Sequence, residues 1–157
     1  TALPLEGLRI VDIGCGGGIL AEALTKHGAQ VTGIDLAEPS LEVAKLHAKE
    51  NKLNINYSTV SRKSGKSEFI YENLNNEIIN SFKLIINCSP VGTYPNTNDS
   101  PNIPYEYLTE DHILYDLIYN PAETLFLKKG RTSGCKIKNG LEMLEIQANE
   151  AWRIWNS

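Results

Sequence analysis

Short apolar runs alternate along the chain with segments in which apolar residues recur at helical spacing. An apolar run that ends in glycine or a turn residue is typical of a strand buried in a parallel sheet. These runs predict strands at residues 8–13, 30–35, 55–60, 68–71, 82–88 and 112–118. The helical spacing predicts helices at residues 19–26, 37–51, 122–129 and 141–155. The alternation predicts an α/β fold, a Rossmann-like three-layer sandwich with a mainly parallel sheet.

The 157 residues contain no internal repeat, and the proline- and asparagine-rich residues 92–104 have the composition of a loop within one domain. A hydrophobic content of 41% with 22% charged residues is ordinary for a globular domain. On the last predicted helix, Trp152 and Trp155 share a face with Leu141 and Leu144. We therefore expect both tryptophans to anchor that helix to the core.

Charge and cysteine usage narrow the range of partners. A net charge of −4 argues against nucleic acid, which requires clustered Lys and Arg. Cys15, Cys88 and Cys135 have no C-x-x-C spacing and the three histidines are dispersed, so neither disulfides nor a metal site is predicted. No apolar run reaches the length of a membrane span. We expect a cytoplasmic protein without a membrane or nucleic-acid partner, and the pattern leaves its oligomeric state open.

The stretch VDIGCGGGIL, residues 11–20, has the glycines of a nucleotide-binding turn between a strand and a helix. Gly14, Gly16 and Gly18 form G-x-G-x-G, whereas the dinucleotide fingerprint would require a glycine in place of Ile19. Within this turn, the adjacent helix N-terminus could lower the pKa of Cys15, although packing is the simpler interpretation.

Two carboxylates refine the choice of nucleotide. Asp12 stands two residues before the turn, where it would repel a pyrophosphate but suit a cationic ligand. Asp35 ends the second predicted strand, where it can accept hydrogen bonds from both hydroxyls of a ribose. The pattern indicates S-adenosylmethionine. A tight strand-to-helix connection that binds nothing is the alternative.

The runs DIGCGGGILAEALTKHGAQVTGID and AEPSLEVAKLHA, within residues 5–51, closely resemble the class I methyltransferase domain of the ubiquinone-biosynthesis O-methyltransferase family. The resemblance implies cofactor binding at the three glycines of the turn. It also implies a ribose contact at Asp35 and a backbone contact from Leu36.

From about Leu53 onward, VSRKSG, KLIINCSPVGTYPN, PYEYLTEDHILYDLIYNPAETLFLKKG and KNGLEMLEIQANEAWRIWN resemble the C-terminal NADP-binding domain of shikimate dehydrogenase. The resemblance implies that Ser61 and Arg62 receive the 2′-phosphate of NADP; a solvated exit from the strand is the alternative. It implies that NCSPVG lines the nicotinamide side. It also implies weaker substrate-side positions at Tyr119, Gly140, Met143 and Gln147.

The two resemblances meet near residues 51–54, which predicts a hybrid engineered by joining two Rossmann-like parents. The chain shows no counterpart of the dehydrogenase's glycine turn and substrate domain, or of the methyltransferase acceptor pocket. We therefore expect no catalytic residues and at most residual binding, with S-adenosylmethionine ahead of NADP. An NADP-binding fragment of shikimate dehydrogenase and a structural domain without a ligand are the alternatives.

Overall fold

A computed structural model describes residues 4–61, 69–70 and 75–156. The strands in these ranges are β1 (Arg9–Ile13), β2 (Gln30–Asp35), β3 (Asn56–Ser61), β4 (Phe69–Ile70), β5 (Leu84–Asn87), β6 (Ile113–Asp116) and β7 (Lys136–Lys138). The helices are α1 (Ile19–Lys26), α2 (Glu38–Glu50), α3 (Asn76–Asn80), α4 (Leu125–Thr132) and α5 (Leu141–Trp155), with a 3-10 helix at Tyr105–Tyr107. None of the described helices is long and apolar enough to cross a membrane.

All strands pair in parallel in the order β4-β3-β2-β1-β5-β6-β7. From β1 the chain builds the sheet outward through β2, β3 and β4, and then returns to pair β5 with the other side of β1. The strand order therefore reverses between β1 and β5. Ligands of open α/β sheets bind outside the carboxyl ends of the strands at such a point. The predicted α/β fold with a parallel sheet is confirmed.

Both faces of the sheet are buried. Successive residues of a strand point to opposite faces, so one strand supplies side chains to both core clusters. Val11 and Ile13 of β1 belong to one core cluster, which also includes Phe126 of α4. Ile10 belongs to the other cluster, together with Leu41 of α2. The short apolar strands thus supply the centre of both layers.

Some helices and strands of the described chain begin at other residues than expected, and some were not predicted from the pattern. Helix α4 begins three residues later than predicted because Thr124 caps it: its hydroxyl accepts a hydrogen bond from the Leu127 N–H at 3.4 Å. Helix α3, the 3-10 helix and β7 were not predicted. Strand β7 reads Lys-Ile-Lys and is an edge strand with a single apolar residue, so it has no apolar run.

The prediction that Trp152 and Trp155 anchor the last helix to the core is wrong. Helix α5 begins and ends where expected, but the two tryptophans are 68% and 81% exposed. Within the described chain no residue of α5 is buried. The periodicity predicts which face of a helix is apolar, but it cannot predict whether another element covers that face.

Thr124 also ties α4 to the sheet. The residue is 1% exposed, and its hydroxyl donates a hydrogen bond of 2.5 Å to the Oδ2 atom of the buried Asp116 at the end of β6. One side chain therefore satisfies both a helix terminus and a buried carboxylate.

Replacing Thr124 with Val removes both hydrogen bonds at nearly constant volume. We expect the free energy of unfolding to fall by about 2–4 kcal/mol, from a lost bond to a charged group and a lost cap. Urea denaturation followed by circular dichroism measures this change. The matched control is Thr132→Val in the same helix, where the exposed hydroxyl bonds only to the Lys128 carbonyl. Equal stability of the two variants would contradict the assignment.

Candidate nucleotide-binding site

A crevice of about 630 Å³ lies at the carboxyl ends of the central strands, where the strand order reverses. It is lined by residues that follow β1, β2 and β5, by part of the loop before the 3-10 helix, and by α4. The lining residues are Ile13, Gly14, Asp35, Leu36, Cys88, Ser89, Pro90, Val91, Asn98, Asp99, Ser100, Pro101, Asn102, Leu125 and Lys129. The volume is within the usual range for a small-molecule site.

The glycine turn after β1 has a backbone that favours glycine. Gly14, Gly16 and Gly18 have φ angles of +78°, +51° and +82°, which are uncommon for residues with a Cβ. A Cβ at Gly14 would also lie 2.8 Å from the backbone nitrogen of Ser89. The turn therefore packs directly against the loop that follows β5.

Asp35 organises this turn from the end of β2. Its Oδ2 atom accepts a hydrogen bond from the Gly16 N–H at 2.8 Å, and its Oδ1 atom accepts one from the Ala37 N–H at 2.8 Å. The half-buried carboxylate also faces the crevice. Because each carboxylate oxygen can accept two hydrogen bonds, Asp35 retains acceptor capacity for a ligand hydroxyl.

Asp12 lies beneath the turn and does not line the crevice. Its side chain is fully buried, and neither oxygen has a hydrogen-bond partner of standard geometry in the described part of the chain. Burial raises the pKa of Asp12 to about 6; the nearby Cys88 thiol opposes this change and the negative charge of Asp35 adds to it. The side chain can therefore change its charge state near neutral pH.

The thiol of Cys15 does not have the lowered pKa that a helix N-terminus could produce. Burial raises its pKa to about 12, and the charges of Asp12 and Asp35 contribute to the rise. Cys15 is a packing residue of the second core cluster, consistent with the simpler interpretation.

Tyr57 is a neighbour of the turn that the sequence did not identify. It pairs with Gly33 in the sheet, and a Cβ at Gly33 would lie 2.7 Å from its ring. Its hydroxyl lies so close to Gly18 that a Cβ there would clash with it. The hydroxyl is buried, with no hydrogen-bond partner among the described residues. A tyrosine in a strand is unremarkable in sequence, so no signal could have identified this contact.

A buried polar network fixes the opposite wall and was also missed. The Ser89 hydroxyl donates to Asn87 Oδ1 at 2.6 Å, and the Asn87 amide donates to Asp116 Oδ1 at 3.0 Å. Burial raises the pKa of Asp116, while hydrogen bonds from Thr124, the Ile118 N–H and Asn87 oppose the rise. These contacts join residues on adjacent strands, which is information that a linear pattern lacks.

The far end of the crevice carries a positive charge. The Lys129 ammonium donates to the Ser100 hydroxyl at 3.0 Å and lies 4.3 Å from the centre of the Tyr105 ring. This end is separated from Asp35 by the carboxyl ends of β1 and β5. The crevice therefore has an acidic side chain, Asp35, at the end of β2, and both the basic Lys129 of α4 and the acidic Asp99 in the lining at its far end.

The structure brings only some of the predicted cofactor residues together. Gly14, Asp35 and Leu36 line the crevice, and Gly16 is hydrogen-bonded to Asp35. Ser61 ends β3, two residues beyond the partner of Asp35 in the sheet. Arg62 lies outside the described residues.

The predicted substrate-side residues do not line the crevice. Tyr119 is 50% exposed, and Met143 and Gln147 lie on α5. Gly140 has a packing role instead, because a Cβ there would clash with the carbonyl oxygen of Leu117.

Comparison with known proteins gives two partly overlapping similarities. Residues 10–87 match a family described as a methyltransferase domain. The ubiquinone biosynthesis O-methyltransferase of Coxiella burnetii is 56% identical over 55 residues, which cover 35% of this chain and 24% of that protein.

The second similarity covers nearly the whole chain. The shikimate dehydrogenase (NADP(+)) of Methanococcus maripaludis is 36% identical over 148 residues, which cover 94% of this chain and 49% of that protein. A solved shikimate dehydrogenase in complex with NADP+ superposes with a TM-score of 0.75 at 30% identity, covering 96% of this chain and 49% of that one. The chain thus spans about half the length of these relatives. It is a Rossmann-like domain that resembles a methyltransferase in its first third and shikimate dehydrogenase over nearly its full length, with the fold of that enzyme's NADP-binding domain.

Proposed function

We propose that the crevice binds an adenosine-containing cofactor and that an NADP-type dinucleotide is its favoured ligand. The observation that carries this proposal is the extent of the crevice. It continues from Asp35 and Leu36 past Gly14 to residues 88–91 and Lys129. An adenosine held at Asp35 fills one end, and a second nucleotide reaches the remainder.

The proposed orientation follows from the acceptors in the crevice. Asp35 accepts the 3′-hydroxyl of the adenosine ribose, the hydroxyl that remains free beside the 2′-phosphate, and Leu36 lies beside the base. The nicotinamide end lies against residues 88–91. The 2′-phosphate lies toward the end of β3, where Ser61 and Arg62 are the candidates from the sequence, since a guanidinium can pair with a phosphate through two hydrogen bonds.

This proposal ranks NADP ahead of S-adenosylmethionine, which is the reverse of the order expected from the glycine spacing. The similarity to NADP-dependent dehydrogenases extends over 94% of the chain, whereas that to the O-methyltransferase covers 35%. We retain the proposal that the chain is a composite joined near residues 51–54, an exposed turn in which Lys52 has a φ of +55°. A relative of uniformly high identity across this turn would contradict a composite origin.

S-adenosylmethionine is the second candidate, and the hydrogen bonds of the turn favour it. The N–H groups of Gly14 and Cys15 donate to the Ile34 carbonyl, and that of Gly16 donates to Asp35. These N–H groups are therefore occupied and do not point at a pyrophosphate. A ligand without phosphates loses nothing from this arrangement.

Calorimetric titration with NADP, NAD and S-adenosylmethionine tests the proposal. We expect NADP to bind most tightly to the unaltered chain. Asp35→Asn removes ribose acceptor capacity, so NAD and S-adenosylmethionine should lose about tenfold in affinity, equivalent to 1–2 kcal/mol. NADP should lose less, because the substitution also removes a negative charge near its 2′-phosphate.

The matched control is Asp111→Asn, an exposed carboxyl residue that does not line the crevice. Circular dichroism establishes that each variant is folded, since Asp35 also supports the turn. Tighter binding of S-adenosylmethionine than of NADP would favour the second candidate. Unchanged affinity of all three ligands for Asp35→Asn would place the ribose elsewhere.

Because of the charge state of Asp12, the affinities for a dinucleotide and for S-adenosylmethionine should depend on pH in opposite directions. Since its pKa is raised to about 6, Asp12 is neutral below that pH and negative above it. A negative charge beneath the turn repels a pyrophosphate and attracts a sulfonium. At the separation of a buried residue from the crevice, this charge changes the free energy of ligand binding by on the order of 1 kcal/mol.

Binding measured between about pH 5 and pH 7.5 tests this effect. NAD, whose pyrophosphate keeps its charge in that range, should bind several-fold more weakly at the higher pH. S-adenosylmethionine should show the reverse trend. Asp12→Asn should abolish both trends. Their persistence in this variant would assign the pH dependence to another group.

We also propose that the residues of this chain bind a cofactor without turnover. The four positions that the dehydrogenase resemblance assigns to the substrate side are not among the residues that line the crevice, whereas hydride transfer requires a substrate held about 3–3.5 Å from the nicotinamide. We expect no oxidation of shikimate above background when the reaction is monitored by the absorbance of reduced NADP. A rate that survives repurification and is lost in Gln147→Ala would contradict this expectation.

A further inference from the structure

The far end of the crevice is rich in hydrogen-bond donors. We call it the Lys129 end; it comprises the ammonium of Lys129, the hydroxyl of Ser100 and the side-chain amides of Asn98 and Asn102. Of the described residues that line the crevice, Lys129 is the only cation. Three of the four groups come from one loop and the fourth comes from α4, so the fold brings together donors that lie far apart in the sequence.

The Lys129 ammonium is held on two sides and has no ionic partner. Its Nζ atom donates a hydrogen bond to the Ser100 hydroxyl at 3.0 Å and lies 4.3 Å from the centre of the Tyr105 ring. That ring packs edge-on against the buried Phe126. No carboxylate in the described ranges forms an ion pair with Lys129. Because an ammonium has three N–H donors, Lys129 retains donor capacity toward the crevice.

The other groups of the Lys129 end also retain donors. The Ser100 hydroxyl accepts the bond from Lys129, so its own hydrogen remains to be donated. The side-chain amides of Asn98 and Asn102 have no hydrogen-bond partner among the described residues. Asp99 opposes a bound anion, but its Oδ1 atom already accepts the Ser100 N–H at 2.9 Å, and its side chain is exposed to water, which screens its charge.

We propose that the Lys129 end binds an anionic oxygen group of a ligand, a phosphate or a carboxylate. The ammonium supplies the charge, and the Ser100 hydroxyl and the two amides supply further hydrogen bonds. In assigning the anion to this crevice we build on the proposed function. No described residue of α1 lines the crevice, so the N–H groups at the start of that helix are not available there. An anion in the crevice therefore meets a side chain instead of a helix terminus.

Titration with inorganic phosphate at constant ionic strength, followed by the amide signals of the labelled chain in NMR spectra, tests the proposal. Signals of residues 98–102 and 129 should shift with a dissociation constant on the order of millimolar. Lys129→Met keeps the stem over the Tyr105 ring but removes the charge, so it should weaken binding about tenfold. Lys129→Arg retains the charge and should stay within about threefold of the unaltered chain.

The matched control is Lys128→Met, which removes the same charge from an exposed neighbour that does not line the crevice. It should bind phosphate like the unaltered chain. Asp99→Asn removes the opposing charge and should strengthen binding about two- to threefold. A Lys129 that only ties the loop to α4 would not produce this gain. Circular dichroism establishes that each variant is folded.

Titration of NAD with and without phosphate distinguishes the two sources of the anion. Competition assigns the Lys129 end to the pyrophosphate of the cofactor, and simultaneous binding assigns it to a separate small anion; either result supports the proposal. If phosphate binds and NAD does not, the cofactor proposal fails and the Lys129 end stands. Shifts at the glycine turn instead of residues 98–102, no shifts at all, or an equal loss in Lys128→Met would overturn the inference.

Discussion

The site depends on the close packing of the glycine turn between two groups from later in the chain. Ser89 lies against Gly14 on one side, and the Tyr57 hydroxyl lies against Gly18 on the other. Neither contact leaves room for a Cβ, so the backbone itself is the packing surface. Because Ser89 is held by Asn87, and Asn87 by Asp116, the position of the turn is tied to the sheet as far as β6. The crevice is therefore a property of the whole sheet and not of the glycine sequence alone.

The same packing explains how two sequence resemblances can coexist in one fold. The turn, Tyr57 and Asn87 lie within residues 10–87, which match the methyltransferase domain, while the similarity to shikimate dehydrogenase covers 94% of the chain. Parallel sheets of both families have the same crossover handedness and present ligands at the same edge. The glycines of the turn bring its backbone against the Tyr57 ring and against Ser89, whose side chain and backbone both take part in the contact.

The sequence predicted the central strands and helices well because glycines and charged residues delimit them. The bounds of α1, β2 and α5 agree with the structure to the residue. Strand β7 escaped prediction because two of its three residues are exposed lysines. Within the site, Gly14 could be identified from the glycine spacing and Asp35 from its position at the end of β2, and Leu36 was implied by the methyltransferase resemblance. Tyr57 and Asp116 could not be identified, since their roles come from neighbours across the sheet. The tryptophans of α5 were assigned to the core because a pattern in one helix says nothing about its covering.

The two fully buried carboxylates of the sheet have different energetic consequences. Asp116 accepts hydrogen bonds from an amide, a hydroxyl and a backbone N–H, which oppose the effect of its desolvation. Asp12 lacks such partners among the described residues, and its pKa of about 6 lies above the usual value of 3.8. Folding therefore takes up most of a proton at mildly acidic pH, where the unfolded chain would leave this carboxyl ionised. The contribution of Asp12 is most favourable below the unfolded pKa and is lost as the pH rises through about 6, the opposite of a carboxylate whose pKa is lowered by folding.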